Sequence, residues 1–234
     1  MKTIQTFGVL VCLILSISAH SQRHSDSTEI RDLKGFTGIS AGLAANIYLK
    51  QGDTYSFKVV GRSRLLERLE TSVKDSVLRI RMQDDLDILK DLERVNIYIT
   101  APSFQRLVFS GAGKVESDTK LTGERLFVEH SGAHSIDLDV DFTHIEAEMN
   151  GVGNIYLKGK ANFARLEMSG TGSIDAYDLV VQDANCSVSG LGSIQCFAEN
   201  DLKTNVSGLG SVKYRGEPKY FKKSVSGLGR VVSR

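Results

Sequence analysis

A four-residue phrase built on glycine recurs through the second half of this 234-residue chain. Five of its seven copies read Ser-Gly-x-Gly, one begins with Asn150, and one has His134 in place of the second glycine. Successive first glycines are separated by 21, 19, 19, 20, 18 and 19 residues. A steady period of this length is typical of a solenoid, in which each repeat packs on its neighbours. The first glycines are Gly111, Gly132, Gly151, Gly170, Gly190, Gly208 and Gly227.

Residues on both sides of the glycines alternate in polarity, which is typical of strands and not of helices. The inward column four places after the first glycine is Val115, Ile136, Ile155, Ile174, Ile194, Val212 and Val231. The inward column two places before it is Phe109, His130, Met149, Met168, Val188, Val206 and Val225. We therefore predict an all-β, single-domain, right-handed parallel β-helix with rungs of about 19–20 residues, stacked ~4.8 Å apart.

The glycines have a structural explanation. A sharp corner between stacked strands needs a positive φ or a close backbone approach, and glycine permits both because it has no Cβ. The Ser or Asn before each glycine is expected to form a ladder along the corner. His134 replaces a corner glycine, so we expect that corner to be built differently.

The N-terminus is typical of an exported protein. Residues 1–21 contain an early lysine, an apolar run and the small residues Ala19 and Ser21, which together predict a signal peptide cleaved before Gln22. Residues 22–29 are polar, and we expect them to be disordered. Export places the chain at the cell surface, in the periplasm or in the medium.

The β-helix is predicted over residues 30–234, with irregular first coils and an N-terminal cap over 30–104 and regular repeats over 105–234. Within the first part, residues 63–70 have helical spacing and indicate a short helix or lid. No later stretch is apolar enough to span a bilayer. The net charge of +1 gives no nucleic-acid signature.

The chain ends on a repeat that nothing follows, so an exposed strand edge is expected there. Charged residues such as Lys222, Lys223, Arg230 and Arg234 are interpreted as guards against uncontrolled strand pairing. End-to-end homo-oligomers are the alternative.

Three segments carry a family resemblance: the opening residues 36–39, the phrase over residues 47–52, and residues 214–218, in addition to the glycine corners. They resemble the putative auto-transporter adhesin head GIN domain family, DUF2807, over residues 30–234. The resemblance implies a secreted β-helical envelope protein with an adhesive role. It supplies no catalytic or binding residues.

Few residues suggest chemistry. Calcium-binding β-rolls need an aspartate where every repeat here has Ile or Val, so a calcium roll is excluded. Three glutamates, Glu129, Glu148 and Glu167, lie three places before consecutive first glycines and predict an outward acidic column. Carboxylates about 5 Å apart are the geometry of retaining glycosidases, which makes a glycosidase or polysaccharide lyase the enzymatic alternative. A second acidic strand, with Asp137, Asp139 and Asp141, is interpreted as a solvated face.

No metal or cofactor is predicted. His130, His134 and His144 lack a recognised ligand spacing, and His130 falls in an inward column. Cys186 and Cys196 also fall in inward columns. Buried thiols are favoured over a disulfide, because the sequence cannot establish the required Cβ separation.

The sequence therefore predicts an exported, non-enzymatic binding or structural module of the bacterial envelope, adhesin-like, with a glycan or protein surface as its partner. The alternatives are the polysaccharide-active enzyme and a periplasmic structural or sensory component.

Overall fold

A computed structural model describes residues 26–83 and 94–234, so the predicted signal peptide lies outside the described residues. The described chain is a β-solenoid of about seven turns. The strands join into a single sheet system that is parallel throughout the repeats.

The elements follow the chain in this order: β1 (Ser27–Arg31), β2 (Gly38–Gly42), β3 (Ala44–Gln51), β4 (Ser56–Gly61), α1 (Ser63–Glu67), β5 (Leu69–Lys74), β6 (Val77–Met82), β7 (Val95–Ala101), β8 (Arg106–Phe109), β9 (Ala112–Ser117), β10 (Leu121–His130), β11 (Ala133–Met149), β12 (Val152–Met168), β13 (Thr171–Val188), β14 (Ser193–Phe197), β15 (Asp201–Gly208), β16 (Ser211–Arg215), β17 (Tyr220–Gly227) and β18 (Arg230–Ser233).

The strand register confirms both predicted inward columns. Ile136 pairs with Val115 on one side and with Ile155 on the other, and the pairing continues to Val231. The second column runs without a break from Phe109 to Val225. Both columns are buried until the final rung, where Val225 becomes exposed. The core is therefore a stack of matching aliphatic layers.

The first turns are not stacked in chain order. The pair β2 and β3 lies between β6 and β7 on one side and β8 and β9 on the other, with parallel pairing throughout. Ala44 and Ala45 pair with Ala112 and Gly113, so they occupy a corner position that lacks glycine.

Antiparallel strands close the N-terminal end. β4 pairs antiparallel with β7, β1 pairs antiparallel with β4, and β5 pairs antiparallel with β6. Between β4 and β5, α1 buries Leu65 and Leu66 in the core. The predicted short helix is present, but it ends at Glu67, and residues 69 and 70 belong to β5.

The expectation that residues 22–29 are disordered is wrong for the described residues 27–29. They belong to β1, which pairs with β4 from Ser27 opposite Gly61 to Arg31 opposite Phe57. Arg31 anchors this strand, because its guanidinium donates hydrogen bonds to the Leu69 carbonyl and the Thr71 hydroxyl. A polar sequence is ordered here because an open strand edge accepts its backbone hydrogen bonds.

Close backbone contact explains the first glycine of the corner. A Cβ on Gly132 would lie 1.9 Å from the Gly111 carbonyl oxygen of the rung below, a distance that no side chain can occupy. Gly132 has no positive φ, whereas the second glycine of several corners does, as at Gly153 with φ 142°. Glycine therefore meets two needs at the corners, close stacking and a positive φ, and at the last two corners it is the first glycine, Gly208 or Gly227, that has the positive φ.

We expect Gly132→Ala to destabilise the protein by at least about 3 kcal/mol, because the methyl group would force neighbouring rungs apart. Gly52→Ala is the matched control, since its Cβ would lie 3.4 Å from the nearest atom, the Thr100 methyl carbon. Denaturant titration followed by circular dichroism measures both. Equal unfolding midpoints for the two variants would contradict the stacking explanation.

Candidate functional site

The predicted acidic column is present on an outward face. Glu129 pairs with Glu148, and Glu148 pairs with Glu167, so the three carboxylates lie on consecutive rungs of β10, β11 and β12. Beyond Glu167 the column continues through Ser187 and Asn205, which are polar but uncharged. The acidic stretch is therefore limited to three rungs.

Arginines from the neighbouring column partly neutralise these carboxylates. Arg165 contacts Glu167 at 2.6 Å and Glu146 at 3.3 Å, and Arg106 contacts Glu129 at 3.4 Å. Glu148 lies between these pairs. Burial, together with the charges of Glu146, Glu167 and Glu129, raises the pKa of Glu148. The face is therefore a mixed charged surface, and Glu148 forms no ion pair with another described residue.

A third column on the same face lies seven places before each first glycine, and three of its side chains are aromatic. This column runs from Arg125 through His144, Phe163, Asp183 and Asp201 to Tyr220. Its C-terminal part lines a shallow groove of about 360 Å³ together with Asn185, Asn200 and Lys203. Sequence reasoning missed this groove, although counting seven places back from each glycine would have revealed the column.

The second set of acidic residues lies on a different outward face, in the first part of β11. Asp137 and Asp139 are half-buried and Asp141 is exposed, as expected for a solvated face. Asp137 lies 3.8 Å from the Lys158 ammonium, and Asp139 lies 3.5 Å from Lys120. Within the described part of the chain, no group of three or more His, Cys, Asp or Glu residues could hold a metal ion.

Two histidines are buried at the corner that lacks its second glycine. His130 and His134 are 0% and 3% exposed, and the His134 backbone N–H donates to His130 Nε2 at 2.8 Å. The two rings pack edge to face with centroids 5.4 Å apart. The His134 side chain turns into the core, so this corner is indeed built differently. His144 lies apart in the outward column, half-buried beside Phe163.

Burial shifts the titration of both core histidines. Desolvation, together with the charges of His130 and Arg94, lowers the pKa of His134 to about 4. Desolvation also lowers the pKa of His130. Each Nδ1 atom is buried and has no hydrogen-bond partner among the described residues. The pair is therefore neutral at pH 7 and belongs to the core.

Cys186 and Cys196 are buried free thiols that face the interior from opposite sides of one corner. A hydrogen bond to Cys196, together with burial, raises the pKa of the Cys186 thiol well above its usual value. A protonated buried thiol is inert as a nucleophile. The predicted buried thiols are confirmed.

The buried histidines predict acid sensitivity. A pKa lowered from about 6.5 in the unfolded chain to about 4 in the folded chain stabilises the fold above pH 6.5, and this stability is lost as pH falls towards 4. In His130→Met/His134→Gly, which restores the residues of the neighbouring repeats, we expect a smaller loss of stability between pH 7 and pH 4.5. Urea midpoints at both pH values measure the difference; equal losses in wild type and variant would refute the assignment.

Glu148 affects stability in the opposite direction from the histidines, because its contribution becomes more favourable as pH decreases. Because its pKa is raised in the folded state, its charge destabilises the fold above that pKa and the cost falls as pH decreases. Glu148→Gln should therefore stabilise the protein at pH 7, by no more than about 1 kcal/mol because solvent screens the half-exposed column. Glu124→Gln is the exposed control, and thermal unfolding is the measurement. A lower melting temperature for Glu148→Gln than for wild type would contradict this.

Known proteins share this architecture. The structure of a putative adhesin from Bacteroides fragilis is 28% identical, with a TM-score of 0.87 over 90% of this chain and 97% of that one. A putative adhesin from Parabacteroides distasonis is 19% identical, with a TM-score of 0.74 over 91% of this chain and 98% of that one. A protein described as a putative lipid binding protein, from the same species, is 20% identical, with a TM-score of 0.71 over 91% and 98% of the two chains. The last two show the fold alone.

No curated protein matches the sequence. The sequence profile described as "Putative auto-transporter adhesin, head GIN domain" (DUF2807) matches residues 35–218. This match covers most of the glycine corners and the N-terminal turns, and it agrees with the resemblance carried by residues 36–39, 47–52 and 214–218. The chain belongs to the DUF2807 head GIN domain family.

Proposed function

We propose that this protein is an exported, non-enzymatic binding module of the bacterial envelope, and that it adheres to a glycan or protein surface. The observation that carries the proposal is the outward face of β10, β11, β12, β13 and β15. On this face three columns of side chains are held in register over successive rungs. Such a repeating surface suits extended, repetitive ligands better than compact ones.

The composition of the face supports glycan or protein binding. Glu129, Glu148 and Glu167 accept hydrogen bonds from hydroxyl or amine groups. Phe163 and the groove beside it add an apolar surface flanked by Asp183 and Asn200. Carboxylates and amides next to an aromatic ring can bind sugar hydroxyls and the apolar side of a sugar at once. These residues are the proposed contact surface.

An enzymatic role is not favoured, because the acidic column lacks a separated acid and base. Arg165 pairs with Glu167, and Arg106 pairs with Glu129. Glycoside hydrolysis needs one protonated and one ionised carboxyl on either side of a bound sugar, and all three glutamates here lie along one line of one face. Adhesion needs only the surface itself.

Location and adhesion are tested on cells. We expect protease treatment of intact cells to remove an epitope placed at the exposed residue Lys160. Loss of the gene should reduce attachment to glycan- or protein-coated surfaces, with rescue by the wild-type copy. Protection of the epitope until the outer layer is opened would place the chain in the periplasm and contradict the adhesive role.

The proposed face is tested by matched charge removal. The triple variant Glu129→Gln/Glu148→Gln/Glu167→Gln should bind a glycan or protein array at least about tenfold more weakly than wild type. Asp137→Asn/Asp139→Asn/Asp141→Asn removes the same charge from another face and serves as the control. Equal effects of the two variants would point to net charge instead of the proposed surface. Release of shortened products from an oligosaccharide panel would instead favour the enzyme.

A further inference from the structure

The C-terminal end of the solenoid differs in charge from the rest of the chain. Residues 203–234 contain eight Lys or Arg residues and one acidic residue, Glu217, which gives a net charge of +7 in a chain whose total is +1. The preceding turns, residues 94–202, contain eight basic and fifteen acidic residues. The rod is therefore acidic along its middle and strongly basic at one end.

The same end exposes large apolar side chains. Leu191, Leu209 and Leu228 are the third residues of consecutive corners and are 67%, 61% and 85% exposed. These three residues are called the leucine ridge. In the final rung, Tyr220 is also 67% exposed. Earlier corners have alanine or threonine at this position, apart from Val152. Large exposed apolar side chains at the same position of consecutive corners indicate an interaction site.

The final rung has one free edge. β17 pairs only with β15, and β18 pairs only with β16, among the described strands. Lys223 occupies an inward column of this rung, directly below the buried Thr204. A further strand added at this edge would bury the Lys223 ammonium in the core, which is costly for an unpaired charge. A second copy docked with its C-terminal end on this one would bring two ends of charge +7 together. Strand addition and tail-to-tail pairing are both disfavoured.

From these observations we infer that the C-terminal end docks on a phospholipid bilayer surface that contains anionic headgroups. Lys222, Lys223, Arg230 and Arg234 lie on the final rung and are exposed, so they can contact lipid phosphates together. The C-terminal part of the leucine ridge, Leu209 and Leu228, inserts at the boundary between headgroups and acyl chains, where Tyr220 also prefers to lie. A soluble polyanion would use the cations but gain nothing from the leucines.

The free strand edge limits how deep this contact is. Unpaired backbone N–H and C=O groups cannot enter the hydrocarbon core without losing their hydrogen bonds to water. At the headgroup level, they keep water or phosphate partners. The end of the rod therefore lies on the membrane as a peripheral contact and does not cross it. Among the described residues, no helix is long and apolar enough to span a bilayer.

This inference goes beyond the proposed adhesive function, because it concerns a different surface. Docking through the final rung leaves the face with Glu129, Glu148 and Glu167 free, because Glu167, the nearest of them, lies three corners before the last one at Gly227. The acidic middle of the rod would be repelled by an anionic bilayer, which favours contact through the end. Lipid docking and adhesion can therefore fail independently.

Vesicle cosedimentation tests the inference. The chain from Gln22 onward contains every described residue and lacks the apolar run of residues 7–17, so that run cannot cause binding. We expect it to sediment with vesicles of phosphatidylcholine containing about 30% phosphatidylglycerol, and not with pure phosphatidylcholine. Binding should fall when salt rises from about 0.05 M to about 0.5 M. Absence of binding to the anionic vesicles would overturn the inference.

Two variants separate the apolar and the charged contributions. Leu209→Ser/Leu228→Ser and Lys222→Glu/Arg230→Glu should each weaken vesicle binding by at least about tenfold. Val152→Ser and Lys160→Glu are the controls, since both residues are exposed in the middle of the rod. Unchanged circular dichroism verifies folding, which is expected because every substituted side chain is exposed.

Two results would overturn docking on lipid even if the wild type sediments with vesicles. One is equal binding by the leucine variant and wild type, together with tight binding to heparin, which would assign the end to soluble polyanions. The other is an equal loss of binding in the control variants, which would assign the effect to overall charge and hydrophobicity. Neither result would bear on adhesion by the acidic face.

Discussion

Close stacking of the backbone at the glycine corners is the constraint on which the structure depends. The carbonyl oxygen of one rung occupies the space that a side chain of the next rung would need, as at Gly132 above Gly111. Corners this close leave no room for an insertion between rungs, so equivalent residues pair with equivalent residues. Register is fixed at the corners and passed along the strands, with a shift between Tyr156 and Lys158 where β12 pairs with β13. The aliphatic columns of the core follow from it.

Strict register has a consequence for polar residues, because residues of one column lie at the rung spacing. Where they carry like charges, as in the column of glutamates, they repel unless a neighbouring column compensates them, as Arg165 does for Glu167. Inside the core, the same rule leaves little tolerance for polar groups. His130 and His134 are accommodated as a pair at the corner where an imidazole side chain replaces the second glycine.

The core of the β-solenoid is covered differently at the two ends of the described chain. At the N-terminal end, antiparallel strands β1, β4 and β5 and the helix α1 add to the first rungs and cover apolar residues. At the C-terminal end no described element follows β18, and the inward position below Thr204 is a lysine. The described N-terminal end is closed by packing, whereas the last described rung has a charged residue at an inward position. The exposed leucines at the charged end are what make it a candidate for lipid docking.

The sequence by itself determined the repeat, the strand character of each copy and the inward columns, because side-chain alternation and glycine spacing are local properties. It also determined the acidic column, since residues at one position of a regular repeat must lie in line. Tertiary structure alone decided that β6 and β7 stack outside β2 and β3, and that residues 27–29 form a strand. It also decided that Arg165 and Arg106 reach the glutamates and that Phe163 lines a groove with Asp183 and Asn200. These features depend on contacts between residues from different rungs or from the degenerate N-terminal turns, where no repeat in the sequence fixes the neighbours.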